Sequence, residues 1–93
     1  MSNQISIDEK LIKYLRTKGY RSDNIIDKLV TETLALGSIA RMQIAPEQGQ
    51  FLEIIVSITK SKRCLEVGRF TGLSSLCIAK GLIEKGKLVS IDN

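Results

Sequence analysis

The sequence predicts an α/β fold, with N-terminal helices followed by the first βαβ unit of a parallel sheet that the 93 residues leave incomplete. Three observations carry this. The apolar run Cys64-Leu65-Glu66-Val67 contains an acid near its end, and the chain then turns through Gly68 and Gly72. An amphipathic run starts at Leu73, and a second apolar run, Leu88-Val89-Ser90-Ile91, again ends in an acid, Asp92. Upstream, two stretches with helical periodicity carry their own start and stop signals. Residues 1–37 thus form an N-terminal helical segment, and residues 38–93 begin the α/β domain.

Residues 6–18 read as a first helix. Ser6 with Glu9 three later makes a capping box, Leu11, Ile12 and Leu15 share one face with Tyr14 beside it, and Gly19 is the stop. Ser22 caps a second helix in which Ile25, Ile26, Leu29, Val30, Thr33 and Leu34 recur at helical spacing up to Gly37. Residues 38–45 form a connector. Pro46 suits the first position of a third helix, because its missing N–H has no partner there in any case. Phe51, Leu52, Ile55 and Ile58 give that helix its buried side, with Glu47 at the start and Lys60 and Lys62 at the far end suiting its dipole. The strand at Cys64–Val67 lacks polar alternation before Glu66, as a strand covered on both faces does. Leu73, Leu76, Cys77, Lys80 and Ile83 mark the next helix, Gly86 closes it, and Leu88–Ile91 is the neighbouring strand.

Bulk properties exclude several classes. Hydrophobic content of 43% with 26% charged residues is that of a globular chain, which removes disordered and collagen-like readings. The net charge of +4 comes from Lys and Arg spread among acids, with only 4% aromatics, so solvated helix faces explain it better than nucleic-acid binding. Cys64 and Cys77 make no C-x-x-C pair, and the chain has no His, so neither a redox motif nor metal-ligand spacing exists. Both read as buried, reduced thiols. The N-terminus carries no targeting pattern and no apolar run is long enough to span a membrane, which makes the cytoplasm the expected location.

The glycine turn is where chemistry is expected. Ligands of open parallel sheets sit beyond the carboxyl ends of the strands, where the first turn offers backbone N–H groups and a helix N-terminus. Asp92 falls 26 residues after Glu66, placed to accept the two hydroxyls of a ribose. Neither G-x-G-x-x-G nor G-x-x-x-x-G-K-[ST] is present, because Gly68 and Gly72 are four apart and no Lys-Ser/Thr pair follows. Glu66 repels a polyphosphate and tolerates an amine or a sulfonium, a demand that S-adenosylmethionine meets.

These residues resemble a known family. Ile44-Ala45-Pro46-Glu47-Gln48-Gly49-Gln50-Phe51-Leu52, then Leu65-Glu66-Val67-Gly68-Arg69-Phe70-Thr71-Gly72-Leu73-Ser74-Ser75-Leu76, then Gly86-Lys87-Leu88-Val89-Ser90-Ile91-Asp92 resemble the opening of the cation-dependent O-methyltransferases, the group of the caffeoyl-coenzyme A and catechol enzymes. The resemblance implies a Rossmann-like, S-adenosylmethionine-binding domain. It further implies that Ile44 lines the cofactor site through its backbone, Glu66 and Gly68 border the methionine part, Ser74 hydrogen-bonds its carboxylate and Asp92 holds the ribose. Arg69 belongs to the same cofactor-facing turn, at a place where the family usually carries a smaller or uncharged residue. By the same resemblance, a divalent metal orients a phenolic or catechol-like acceptor and lowers its hydroxyl pKa, a small molecule receives the methyl group, and the N-terminal helices contribute to a homodimer. The metal ligands and the catalytic residues lie after the second strand in the family, so this chain is expected to hold neither, to be a truncated front part, and to be inactive alone. Two alternatives stay open: a non-catalytic cofactor-binding or dimerisation fragment, and a helical interaction domain without strands.

Overall fold

The computed structural model describes residues 5–92. Helix α1 (Glu9–Lys18) and helix α2 (Asn24–Leu34) lead through a 3-10 helix (Gly37–Met42) into helix α3 (Pro46–Thr59). Strand β1 (Arg63–Val67), helix α4 (Leu73–Gly81) and strand β2 (Lys87–Ile91) complete the order. The strands pair in parallel, with Cys64 opposite Leu88, Glu66 opposite Ser90 and Val67 opposite Ile91. The expected βαβ unit is therefore present, and strand content rules out the purely helical alternative.

The helix starts differ from expectation by one or two residues. Asp8, not Ser6, caps α1 by accepting from the Leu11 N–H at 2.9 Å, and Asp23, not Ser22, caps α2 by accepting from Ile25 and Ile26. Each candidate serine has a carboxylate one or two residues later, and a charged acceptor at the positive helix end is favoured. Helix α2 stops at Leu34 instead of running to Gly37, and most of the expected connector is the 3-10 turn. Pro46 is the first residue of α3, as its chemistry requires. The α4 helix ends at Gly81, before Gly86.

Packing departs more. Phe51, Ile55 and Ile58 of α3 are exposed, and the residues it buries are Gly49 and Val56. Apolar residues surround α3 on several sides, and the absence of side chains decides which one packs: a Cβ at Gly49 would come within 2.6 Å of the Cys77 sulfur, and one at Gly81 within 3.0 Å of the Val56 Cβ. Close approach of α3 and α4 is thus bought at two glycines. The core beside this contact joins Ile26 of α2 to Leu73 and Cys77 of α4, with Leu29, Val30, Ile44 and Leu76 against it. Cys77 is buried as expected, whereas Cys64 is half-buried.

Helix α1 buries none of its residues fully. Its ties are polar: Arg16 forms a two-point contact with Glu47 at 3.0 and 3.2 Å, and the Gln50 amide donates to the Gly19 carbonyl and accepts from the Arg21 N–H, both at 2.6 Å. On the sheet, Leu65, Val67, Val89 and Ile91 point to one open face, with Val67 77% exposed. The sequence reads as a strand covered on both faces, but a sheet of two parallel strands with α4 on one side leaves this face uncovered. No helix among the described residues is long and apolar enough to cross a membrane.

Candidate functional site

The turn from β1 to α4 reverses handedness at alternate residues. Gly68 (φ 87°), Phe70 (φ 51°) and Gly72 (φ 100°) have positive φ, with Arg69 and Thr71 between them. A Cβ at Gly68 or Gly72 would meet nothing within 4 Å, so these glycines serve the backbone conformation and leave open space beside it. The Gly68 N–H donates to the Ile91 carbonyl at 2.7 Å and pins the turn to the end of β2. Helix α4 begins at Leu73, after an N-cap glycine, Gly72, that offers no side-chain cap, so the N–H groups of its first turn have no partner in the helix and carry its positive dipole end.

Behind the turn sits Glu66, 9% exposed. Its carboxylate accepts from the hydroxyls of Ser74 and Ser75 on α4 and from Ser90 on β2, the last at 2.8 Å. Burial pushes its pKa up, but the three hydroxyl donors and the nearby Arg69 charge outweigh it, and the net result lies below the ordinary value. Glu66 is an ionised, nearly saturated acceptor: three of its roughly four lone-pair sites are filled, and one on Oε2 stays available.

A pocket of about 70 Å³ opens over the turn, lined by Met42, Gln43, Ile44, Gly68, Arg69, Phe70, Thr71, Leu73 and Ser74. Four sequence-predicted residues, Ile44, Gly68, Arg69 and Ser74, therefore meet around one cavity. Glu66 lies behind Ser74 and holds its hydroxyl. Asp92 does not line the pocket; it is exposed, directly after the Ile91 that binds Gly68.

A second group of residues escaped sequence reasoning. Thr33, 2% exposed, lies 2.9 Å from the Thr71 hydroxyl, and the Gln43 amide donates to Thr33 at 3.1 Å and to Thr71 at 3.3 Å. The trio stitches α2, the connector and the glycine turn together. Its one sequence trace is a threonine on the apolar stripe of α2.

Another cavity, about 250 Å³, lies between the α1–α2 link, α3 and α4. It is lined by Tyr20, Asp23, Gln50, Glu53 and Lys80 among others, and Lys80 sits 2.5 Å from Asp23 and 3.7 Å from Glu53. The Lys80 hydrogen bond holds Asp23 below its ordinary pKa and Asp23 raises that of Lys80, as in a structural brace between helices. Among the described residues no cluster of three or more His, Cys, Asp or Glu is placed to hold a metal ion.

Comparison with known proteins agrees with this arrangement. The model of a family described as O-methyltransferase matches residues 16–93. A catechol O-methyltransferase of Niastella koreensis is 30% identical over a 94-residue alignment that covers 99% of this chain and 40% of that protein. A caffeoyl-CoA O-methyltransferase of Populus kitakamiensis is 40% identical over 60 residues, covering 64% of this chain and 26% of that protein. The crystal structure of an O-methyltransferase from Bacillus cereus in complex with SAH superposes with a TM-score of 0.77 at 26% identity, over 86% of this chain and 36% of the other. The chain spans two-fifths or less of the length of these relatives. With the match over residues 16–93 and the βαβ pocket both in place, the chain belongs to the O-methyltransferase family.

Proposed function

We propose that this chain carries the S-adenosylmethionine-binding portion of an O-methyltransferase whose acceptor is a small molecule with a phenolic or catechol-like hydroxyl. The observation that carries the reading is the convergence of Ile44, Gly68, Arg69 and Ser74 on one pocket beside an ionised Glu66 and an uncapped helix start. Each feature suits one part of the cofactor. The free N–H groups at the start of α4 suit the methionine carboxylate. The unfilled site on Glu66 suits a cationic or hydroxyl-bearing group. Asp92, exposed at the end of β2, suits the ribose hydroxyls. The open space beside Gly68 lets a ligand lie against the backbone.

When bound, S-adenosylmethionine supplies an electrophilic methyl group on a sulfonium. The residues of this chain orient it and exclude a polyphosphate through the Glu66 charge. Ser74 and Ser75 keep that charge in place by holding the carboxylate from the helix side. A divalent metal would orient and acidify the acceptor, but the described residues do not provide its site. A homodimer and a cytoplasmic location belong to the same reading, and the exposed apolar residues Phe51, Ile54 and Ile58 of α3 suit a subunit contact.

Calorimetric titration of the chain with S-adenosylmethionine tests this. Binding is expected, and Asp92→Ala should weaken it by about 1–3 kcal/mol, the range for a hydrogen bond to a charged group. A folded chain that does not bind overturns the reading.

A further inference from the structure

We propose that the cavity between the α1–α2 link, α3 and α4 binds a small zwitterion, an amino acid with an apolar side chain, whose ammonium is taken by Glu53 and the Tyr20 hydroxyl and whose carboxylate is taken by Lys80. This cavity shares no lining residue with the pocket over the glycine turn, so the inference stands apart from the cofactor reading.

The first observation is an orphaned hydroxyl. Tyr20 lines the cavity, yet its hydroxyl oxygen is shut off from solvent and has no hydrogen-bond partner among the described residues. Leaving a buried hydroxyl unpaired costs free energy, and native structures nearly always pair such groups. Burial pushes the Tyr20 pKa up, with Asp27, Cys77 and Asp23 raising it further and Lys80 opposing them, so the hydroxyl feels the same ionic cluster that lines the cavity.

The second observation is an incomplete charge pair. Lys80 bonds to Asp23, whose carboxylate also accepts from the Ile25 and Ile26 N–H groups at the start of α2. Toward Glu53 the same ammonium stops at 3.7 Å, beyond hydrogen-bond length. An ammonium has three protons, so two remain once Asp23 is served. Glu53 on α3 and Lys80 on α4 thus present an acceptor and a donor of opposite charge, side by side.

Charge balance selects the ligand. The lining carries two carboxylates, Asp23 and Glu53, and two bases, Lys80 and Arg21. A simple anion is opposed by the first pair and a simple cation by the second. A molecule with both charges on one carbon satisfies Glu53 and Lys80 together, and its ammonium also gives the Tyr20 oxygen a donor. Ile26, Ile54 and Pro46 supply an apolar wall for its side chain. The volume of about 250 Å³ is below the roughly 300–1,000 Å³ of pockets that take drug-sized ligands, so the occupant is small.

Amide NMR titration of the chain tests this with three probes. They are L-leucine, 3-methylbutylamine, which is leucine without its carboxylate, and 4-methylpentanoate, which is leucine without its amine. Leucine should shift the Tyr20, Asp23, Glu53 and Ile54 amides saturably, with a Kd of roughly millimolar because Glu53 and Lys80 stay partly open to solvent. Each single-charge analogue should bind about five-fold more weakly, the upper effect of an ion pair open to solvent. Glu53→Gln and Tyr20→Phe should each weaken leucine binding about five-fold, and leucine should leave the amides of the glycine turn unshifted. A folded wild type with no saturable shift overturns the site. Equal binding of leucine and either analogue overturns the zwitterion assignment, and leucine affinity unchanged in either variant overturns the role of that residue.

Discussion

Ser90 faces Glu66 directly across the parallel strand pair, and its hydroxyl donates to Glu66 Oε1 at 2.8 Å. The same carboxylate takes two further hydroxyls from α4, so one side chain ties together both strands and the crossover helix. Glu66→Leu should destabilise the chain by about 1–3 kcal/mol, because three hydroxyls lose their shared acceptor. Ser90→Ala should cost about 1 kcal/mol, since it removes one of three donors. Urea unfolding followed by circular dichroism measures both, and equal midpoints for Glu66→Leu and wild type would show that the cage contributes nothing.

Acid should undo the same cage. The folded-state pKa of Glu66 is depressed, so its stabilisation is fully present above the ordinary carboxyl value of about 4.3. It is lost as pH falls through the lower, folded value, where the native carboxylate finally takes a proton. Removing a donor should raise that folded value. Ser75→Ala is suited to this because Ser75 holds Glu66 without lining the pocket. Carboxyl carbon titration by NMR should place the Glu66 midpoint higher in Ser75→Ala than in wild type; a lower or unchanged midpoint contradicts the hydroxyl explanation.

Gly81→Ala sets helix propensity against packing. Alanine is favoured over glycine within a helix by about 1 kcal/mol. At Gly81, however, the new methyl would run into the Glu53 carbonyl oxygen and the Val56 side chain of α3. A backbone oxygen cannot rotate away, so the clash should win, with a net loss of about 1–3 kcal/mol. Thermal unfolding checks the sign, and a stabilised variant would mean that α3 and α4 can separate at little cost.

The two thiols should react in a fixed order. Burial raises the Cys77 pKa, with the Glu53 charge adding to it, and its side chain is 1% exposed. Cys64 is half-buried on β1. Mass spectrometry of the native chain treated with iodoacetamide should find Cys64 labelled first and Cys77 labelled only when urea opens the core. Equal native labelling rates would contradict the packing of α4.

What the sequence by itself determined is what depends on neighbours along the chain. Pro46 starts α3, the apolar runs at Cys64–Val67 and Leu88–Ile91 are strands, and Gly68 and Gly72 make the turn, because periodicity and backbone freedom act within a few residues. The order of these parts was enough to point to the family, and the grouping of Ile44, Gly68, Arg69 and Ser74 around one pocket agrees with it. Tertiary structure decided the rest. Periodicity could not choose which apolar side of α3 is buried, because the choice belongs to the glycines that admit α4. Spacing could not reveal that the Ser74 proton is held by Glu66, eight residues earlier, or that Thr33 reaches Thr71 across 38 residues of chain. Hydrogen bonds between elements exist only once packing has brought the elements together, and in this chain such bonds tie α2, β1, β2 and α4 together beside the pocket.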